Sequence, residues 1–254
     1  MSENEPIVIK NVSQYIDEVD MLYMLYCDKE VNSELLFRGQ TVDLPLIPKI
    51  GRLNLRKKTD SKIKTEKLIL DEFRRGILPL SEFKPENNWD LLALAQHHGL
   101  PTRLLDWSCS ALIGLWFAVC KPPVINKYGK ALNGIVWVFA PTSTDYRTDT
   151  TTADPLNNNI TKVFKSTIIS KRISAQSGVF TVHKILDSDG FVRFENNKVF
   201  KKKLIPIHIK GEDFASIRKQ LSILGINNAS VFPDIDGFCK NLEWRYSKLE
   251  DEKF

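Results

Sequence analysis

The chain has 254 residues, 43% of them hydrophobic and 26% charged, which is enough to bury a sizeable core as one large domain or two small ones. No run of about eighteen apolar residues exists to span a membrane, and the opening "MSENEPIVIK" lacks the basic flank and apolar stretch of a secretory leader. A net charge of +5 is too modest to argue for nucleic-acid binding by itself, and cysteines at 27, 109, 120 and 239 show neither metal-ligand pairing nor a disulfide framework, which fits reduced thiols in a cytoplasmic protein without a metal.

The first predicted element is a helix over 12–26, capped by Asn11 or Ser13, with Tyr15, Val19, Leu22 and Leu25 or Tyr26 on one face. "ELLFRG" (34–39) reads as a short strand ended by Gly39, and "LPLIPKIGR" (44–52), with two prolines, as an ordered extended loop. Residues 61–76 form a helix that buries Ile63, Leu68 or Ile69, and Phe73. Another helix covers 88–98 and stops at Gly99 and Pro101. "TRLLD" (102–106) is strand or turn. The helix over 110–120 is apolar on nearly every side, so it belongs in the middle of a domain, with Cys109 and Cys120 as buried thiols on it.

"GIVWVFAP" (134–141) is a buried strand, 142–160 is a polar loop, and 177–185 and 203–210 are further strands. Helices over 212–223, ended by Gly225, and 234–248 precede a charged tail. Strands and helices mix without a βαβ rhythm, so the fold class is α+β: a single domain, 1–254, with a mixed or antiparallel sheet core and flanking helices. Basic clusters fall at 56–58, 74–75 and 201–203.

Three stretches carry polar groups that could do chemistry. In "FRGQ" (37–40), Arg38 ends a hydrophobic strand and can present a planar fork to a phosphate, while Gly39 lets a ligand approach the backbone and Gln40 follows. In "QHHGLPTRLLDWSCS" (96–110), His97, Thr102, Arg103, Asp106 and Trp107 crowd the entrance to the apolar helix. Asp106, Ser108 or Ser110 can cap that helix, and Arg103 can pair with Asp106 or with the end of the preceding helix. One cap is sufficient, and the surplus of polar groups points to a cleft, with the helix N-terminus as an anion site. In "RISAQSGVFTVH" (172–183), Gln176 precedes a turn and a strand; it can hydrogen-bond a ligand but is a poor general base. Arg38, His97, Arg103, Asp106 and Gln176 are expected to line one cavity.

The order of "FRGQ", "LPLIPKIGR", "WDLLALAQHHGLPTRLLDWSCSALIGLWFA" and "RISAQSGVFTVH" resembles the FRG domain family, over a motif region of 33–183, with a C-terminal extension of 184–254 packed on it. "LGINNASVFPDIDG" (224–237) resembles the family's ending. His98, where tyrosine is as common, and Ala111, where proline is usual, depart from the pattern without removing a candidate group. A fold-level likeness links the same order to ADP-ribosyltransferases, whose first arginine grips NAD, whose second motif supports the nicotinamide ribose, and whose third carries a glutamate.

That likeness assigns Arg38, Gly39, Gln40, Thr102, Arg103 and Trp107 to NAD and Asp106, His97 and Gln176 to catalysis. Gln176 has no negative charge to offer a developing cation, so Asp106 or Glu66 substitutes or the cleft binds its nucleotide without transferring ADP-ribose. The resemblance thus implies a nucleotide-binding, ADP-ribosyltransferase-type toxin or anti-phage effector. The alternatives are a non-catalytic module for a nucleotide or nucleic acid, and a purely structural or protein-binding domain in which these groups form a buried network.

Overall fold

A computed structural model describes residues 6–27, 34–56, 61–80, 84–148, 154–157, 160–166, 171–186 and 190–253. Lys57 and Lys58 of the first basic cluster, and parts of the expected 142–160 loop (149–153 and 158–159), lie outside the described residues.

The strands are β1 (Ile7–Ile9), β2 (Leu36–Gln40), β3 (Leu104–Ser108), β4 (Gly134–Phe139), β5 (Lys162–Phe164), β6 (Gly178–Val182) and β7 (Leu204–Ile209). They form one sheet in the order β1-β7-β4-β2-β3-β6-β5. Among the described strands only β1 and β7 run parallel, and every other neighbouring pair is antiparallel. The helices are α1 (Val12–Tyr26), α2 (Lys62–Gly76), α3 (Asn88–His97), α4 (Ala111–Val119), α5 (Lys171–Ala175), α6 (Phe214–Ile223), α7 (Asn228–Val231) and α8 (Ile235–Tyr246). The expected α+β class with a mixed sheet is what the structure has.

The pairing of β2 with β3 is the weak seam of this sheet. β2 registers five residues against β4, and β3 registers five against β6, yet β2 and β3 meet only at Phe37 and Ser108. The core follows this division. Helices α1, α4 and α6 cover β1, β7, β4 and β2 through a cluster that includes Phe37, Leu115, Val136, Ile207 and Ile217. Helices α2 and α3 cover β3, β5 and β6 through Leu70, Leu92, Leu104, Phe164 and Phe180. A third cluster, with Leu36, Trp107, Phe139, Val179, Phe194 and Phe200, joins the two halves.

Several local causes are visible. Asn11 caps α1 by accepting from the Gln14 amide at 2.9 Å, satisfying one of the donors a helix start leaves unpaired. Gly99 ends α3 with φ of 78°, a left-handed conformation that favours glycine. Helix α4 buries Ile113, Gly114, Leu115, Trp116, Ala118 and Val119, which explains why its sequence has no polar face.

The two thiols expected on this helix instead flank it and are only partly buried: Cys109 lies before its start and Cys120 just after its end. No side chain caps α4. The Ser108 hydroxyl accepts from the Ser110 amide at 3.0 Å and donates to the Gln176 carbonyl at 2.6 Å, so it ties two segments together.

Candidate functional site

A cleft of about 660 Å3 opens at the seam, within the roughly 300–1,000 Å3 common for small-molecule sites. Arg38, Gly39, His97, Asp106 and Gln176 all border it. Arg38 reaches from β2 to β3, its Nη1 donating to the Asp106 carbonyl oxygen at 2.8 Å and lying 3.7 Å from Oδ2 of the same residue. Its Nε is buried and has no hydrogen-bond partner among the described residues. Burial pulls the guanidinium below its ordinary pKa, and the Asp106 charge opposes that shift.

Asp106 is the open carboxylate of the cleft, with 54% of its side chain exposed. Its Oδ2 accepts from Gln96 Nε2 at 2.7 Å, and Gln96 Oε1 in turn accepts from the Thr102 hydroxyl at 2.6 Å. Thr102 is fully buried, so it acts on the site through Gln96 and not by touching a ligand. His97 stacks edge-on against His98 at 4.9 Å. Burial lowers its pKa, Arg172 and His98 add to that, and Asp106 and Asp234 oppose it.

Gln176 is held by its backbone as well as its side chain. Its carbonyl accepts from Ser108, the next carbonyl, of Ser177, accepts from the Cys109 amide at 3.0 Å, and its Nε2 donates to the Val231 carbonyl at 3.3 Å. Ser177 has φ of 47°, the one non-glycine positive value among the described residues. A serine in that region carries strain that the surrounding bonds must hold, a pattern common at functional sites.

Arg103 does not belong to the cleft. Its Nε and Nη2 donate to Glu66 Oε2 at 2.8 and 2.6 Å, and its Nη1 donates to the carbonyls of Pro155 and Leu156. Glu66 is fully buried, and its other oxygen accepts the Arg103 amide at 2.7 Å. Arg103 thus pairs with α2, not with Asp106 or the end of α3, and neither member of the pair is available to a ligand.

Trp107 borders the cleft, but its indole nitrogen donates to the Thr181 hydroxyl at 3.0 Å inside the core and the residue is only 3% exposed. Gln40 faces a different cavity. Gly39 is also corrected in its role. A Cβ there would lie 2.0 Å from the Gly114 carbonyl oxygen and 2.5 Å from the Ala118 amide nitrogen, so the glycine admits α4, not a ligand.

The structure adds residues that sequence reasoning missed. Lys49, Arg52, Arg172 and Asp234 border the same cleft. Arg172 lies 4.4 Å over the Phe232 ring, and Lys49 donates to the Gly99 carbonyl at 2.7 Å. Asp234 caps α8 through the Gly237 amide at 2.7 Å. Arg52 followed the prolines of the expected loop, and Arg172 began the third motif, but nothing in their neighbourhood set them apart from surface cations. Among the described residues four cationic side chains face two carboxylates here, a balance suited to an anionic ligand.

Compared with known proteins, residues 33–126 match the family model of the FRG domain. Over those residues the chain is similar to the FRG domain. No curated protein and no solved structure gives a significant match. The FRG match holds both β2 and β3, the strands that part at the cleft, together with α2, α3 and α4. The outer partners of those strands, β4 and β6, come from beyond it, as do Arg172, Gln176 and Asp234. The FRG segment therefore supplies Arg38, His97 and Asp106, and the rest of the chain closes the cleft around them.

Proposed function

We propose that this cleft binds NAD or a related nucleotide, with Arg38 gripping a phosphate. One observation carries the reading: a cleft rich in cations, at a parted sheet seam, holds an arginine that is 18% exposed and whose buried Nε has no partner among the described residues. An unsatisfied buried donor costs about 1–3 kcal/mol. A phosphate oxygen offers it a charge-assisted bond in the planar geometry that guanidinium favours.

For chemistry on NAD, Asp106 is the carboxylate that takes the place glutamate holds in ADP-ribosyltransferases, because Glu66 is committed to Arg103 and Asp234 to its cap. As nicotinamide leaves with the bonding pair, a carboxylate beside the ribose stabilises the oxocarbenium-like centre. An NAD-consuming reaction of this kind suits a toxin or anti-phage effector. The glutamine at 176 favours a second reading, a nucleotide-binding module without turnover.

Calorimetric titration with NAD, together with an assay for released nicotinamide, tests both. Arg38→Lys is expected to weaken binding roughly tenfold to a hundredfold, since the ammonium loses a charge-assisted bond of about 1.5–3 kcal/mol. Its melting temperature should stay near that of the parent. Asp106→Asn should abolish nicotinamide release while leaving the NAD affinity. Binding without release selects the second reading, and unchanged affinity in a folded Arg38→Lys protein removes the nucleotide site altogether.

A further inference from the structure

A second cavity, of about 990 Å3, lies on the far side of the wall that closes the cleft. Gly39 and Phe117 border both spaces. Phe232 borders the second, and Arg172, which borders the first, lies over its ring at 4.4 Å. The second cavity is aromatic: Trp116, Phe117 and Phe232 form an edge-to-face cluster with centroids 5.1–6.2 Å apart, and Trp244 joins the lining.

Its charge is as distinctive. Among the described residues Lys121, Lys240 and Lys248 line it against a single carboxylate, Glu243. All three lysines are exposed, and the structure gives none of them a hydrogen bond or ion pair among the described residues. Arg218, the fourth cation, is committed: it bonds Asp251 at 2.7 Å, Glu252 at 3.0 Å and the Val119 carbonyl at 2.7 Å. Gln40 contributes a buried Oε1 that has no donor among the described residues.

We propose that this second cavity binds single-stranded nucleic acid, a base stacking on the Phe232–Trp244 side and the backbone phosphates meeting Lys121, Lys240 and Lys248. Aromatic faces beside unpaired cations are the combination that single strands use, since every base has a π-face and every linkage a charge. The unpartnered Gln40 oxygen suits a base N–H donor. An acidic peptide would satisfy the lysines but leave the rings and the amide without a role. The site stands independently of the NAD reading, and a strand held in it lies across a thin wall from whatever fills the cleft.

The test uses a fluorescein-labelled ten-residue oligothymidylate and anisotropy, with no NAD present, so that its failure is distinct from failure of the cleft. Three phosphate contacts on a single strand give a slope of log K against log salt of about −2, hence roughly sixteenfold weaker binding at 200 mM than at 50 mM salt. Lys240→Ala combined with Lys248→Ala should flatten that slope by about 1.4. Phe232→Leu should keep the slope and weaken binding about fivefold or more through the lost stacking. If Phe232→Leu fails to fold, the two exposed lysines carry the test alone. No binding at 50 mM salt, binding indifferent to the lysine pair, or equal affinity for a ten-residue polyglutamate overturns the proposal.

Discussion

Gly39→Ala separates two accounts of the Arg-Gly pair, a ligand-facing glycine and a packing glycine. The added Cβ would sit 2.0 Å from the Gly114 carbonyl oxygen, about 1.4 Å short of the ordinary 3.4 Å contact, and 2.5 Å from the Ala118 amide nitrogen. Both neighbours are backbone atoms of α4, and that helix is buried on nearly every side, so neither can yield alone. The helix must move as a body, or β2 must leave its five-residue register with β4. Overpacking a tight core costs about 1–3 kcal/mol, and a clash with rigid backbone on both counts belongs at or above the top of that range. For a chain of this size, about 3 kcal/mol lowers the melting temperature by roughly 6–12 °C. Thermal melts and urea unfolding, read beside an NAD titration, give the answer. A Gly39→Ala protein that melts like the parent but has lost nucleotide affinity would refute the packing account and restore the glycine as a ligand contact.

Three further outcomes follow from the same geometry. Glu66→Gln leaves the Arg103 guanidinium buried without its countercharge, so urea unfolding should show a loss of about 3–5 kcal/mol; a change under about 1 kcal/mol would contradict the burial of the pair. In the native protein a thiol reagent should reach exposed Cys239 well before the others, because Cys27 is buried and burial pushes the thiols of Cys109 and Cys120 up to about 12 and about 11. Labelling of Cys109 at the rate of Cys239 would count against this. Burial, with Arg38 assisting, holds His183 down to about 3, so it stays neutral in the fold while the unfolded chain takes a proton near 6.5. Stability should therefore fall as pH drops from 7.5 to 5.5, by roughly 1 kcal/mol from this group, and urea midpoints should show that part missing in His183→Gln.

Much of this arrangement was legible in the sequence where a signal was local. The apolar spacing and the Asn11 cap place α1 at the expected 12–26, and the unrelieved apolar run of α4 marks it as central. Arg38, His97, Asp106 and Gln176 stood at or near the ends of elements, and the structure brings all four to one cleft. Short or distant features were not legible. β1 and β5 have three residues each, too few to show alternation, and five-residue α5 holds less than two turns. Arg103 offered Asp106 as a nearby partner, yet its true partner is Glu66, 37 positions away on a helix that only the fold brings close. The last helix was expected to begin at Asp234, which instead caps it, and nothing in the sequence marked that residue as part of the cleft.

Asp106 and Trp107 show why neighbours in sequence divide so sharply in role. Strand residues alternate in direction, and along β3 Leu105 and Trp107 enter one core cluster while Leu104 enters another. Asp106 shares its side with Leu104, but it sits near the point where β2 and β3 cease to pair, so no strand covers it. The same parting frees the Asp106 carbonyl to accept from Arg38 in place of a backbone amide. Close approach of α4 to β2, permitted by Gly39 and Gly114, then sets Phe117 beside this opening and makes it a wall between two cavities. The polar crowd before the apolar helix is thus two sets of groups with different tasks. Arg103, Thr102 and Trp107 fasten the strand inward, and Gln96, His97 and Asp106 are left to face whatever enters the seam.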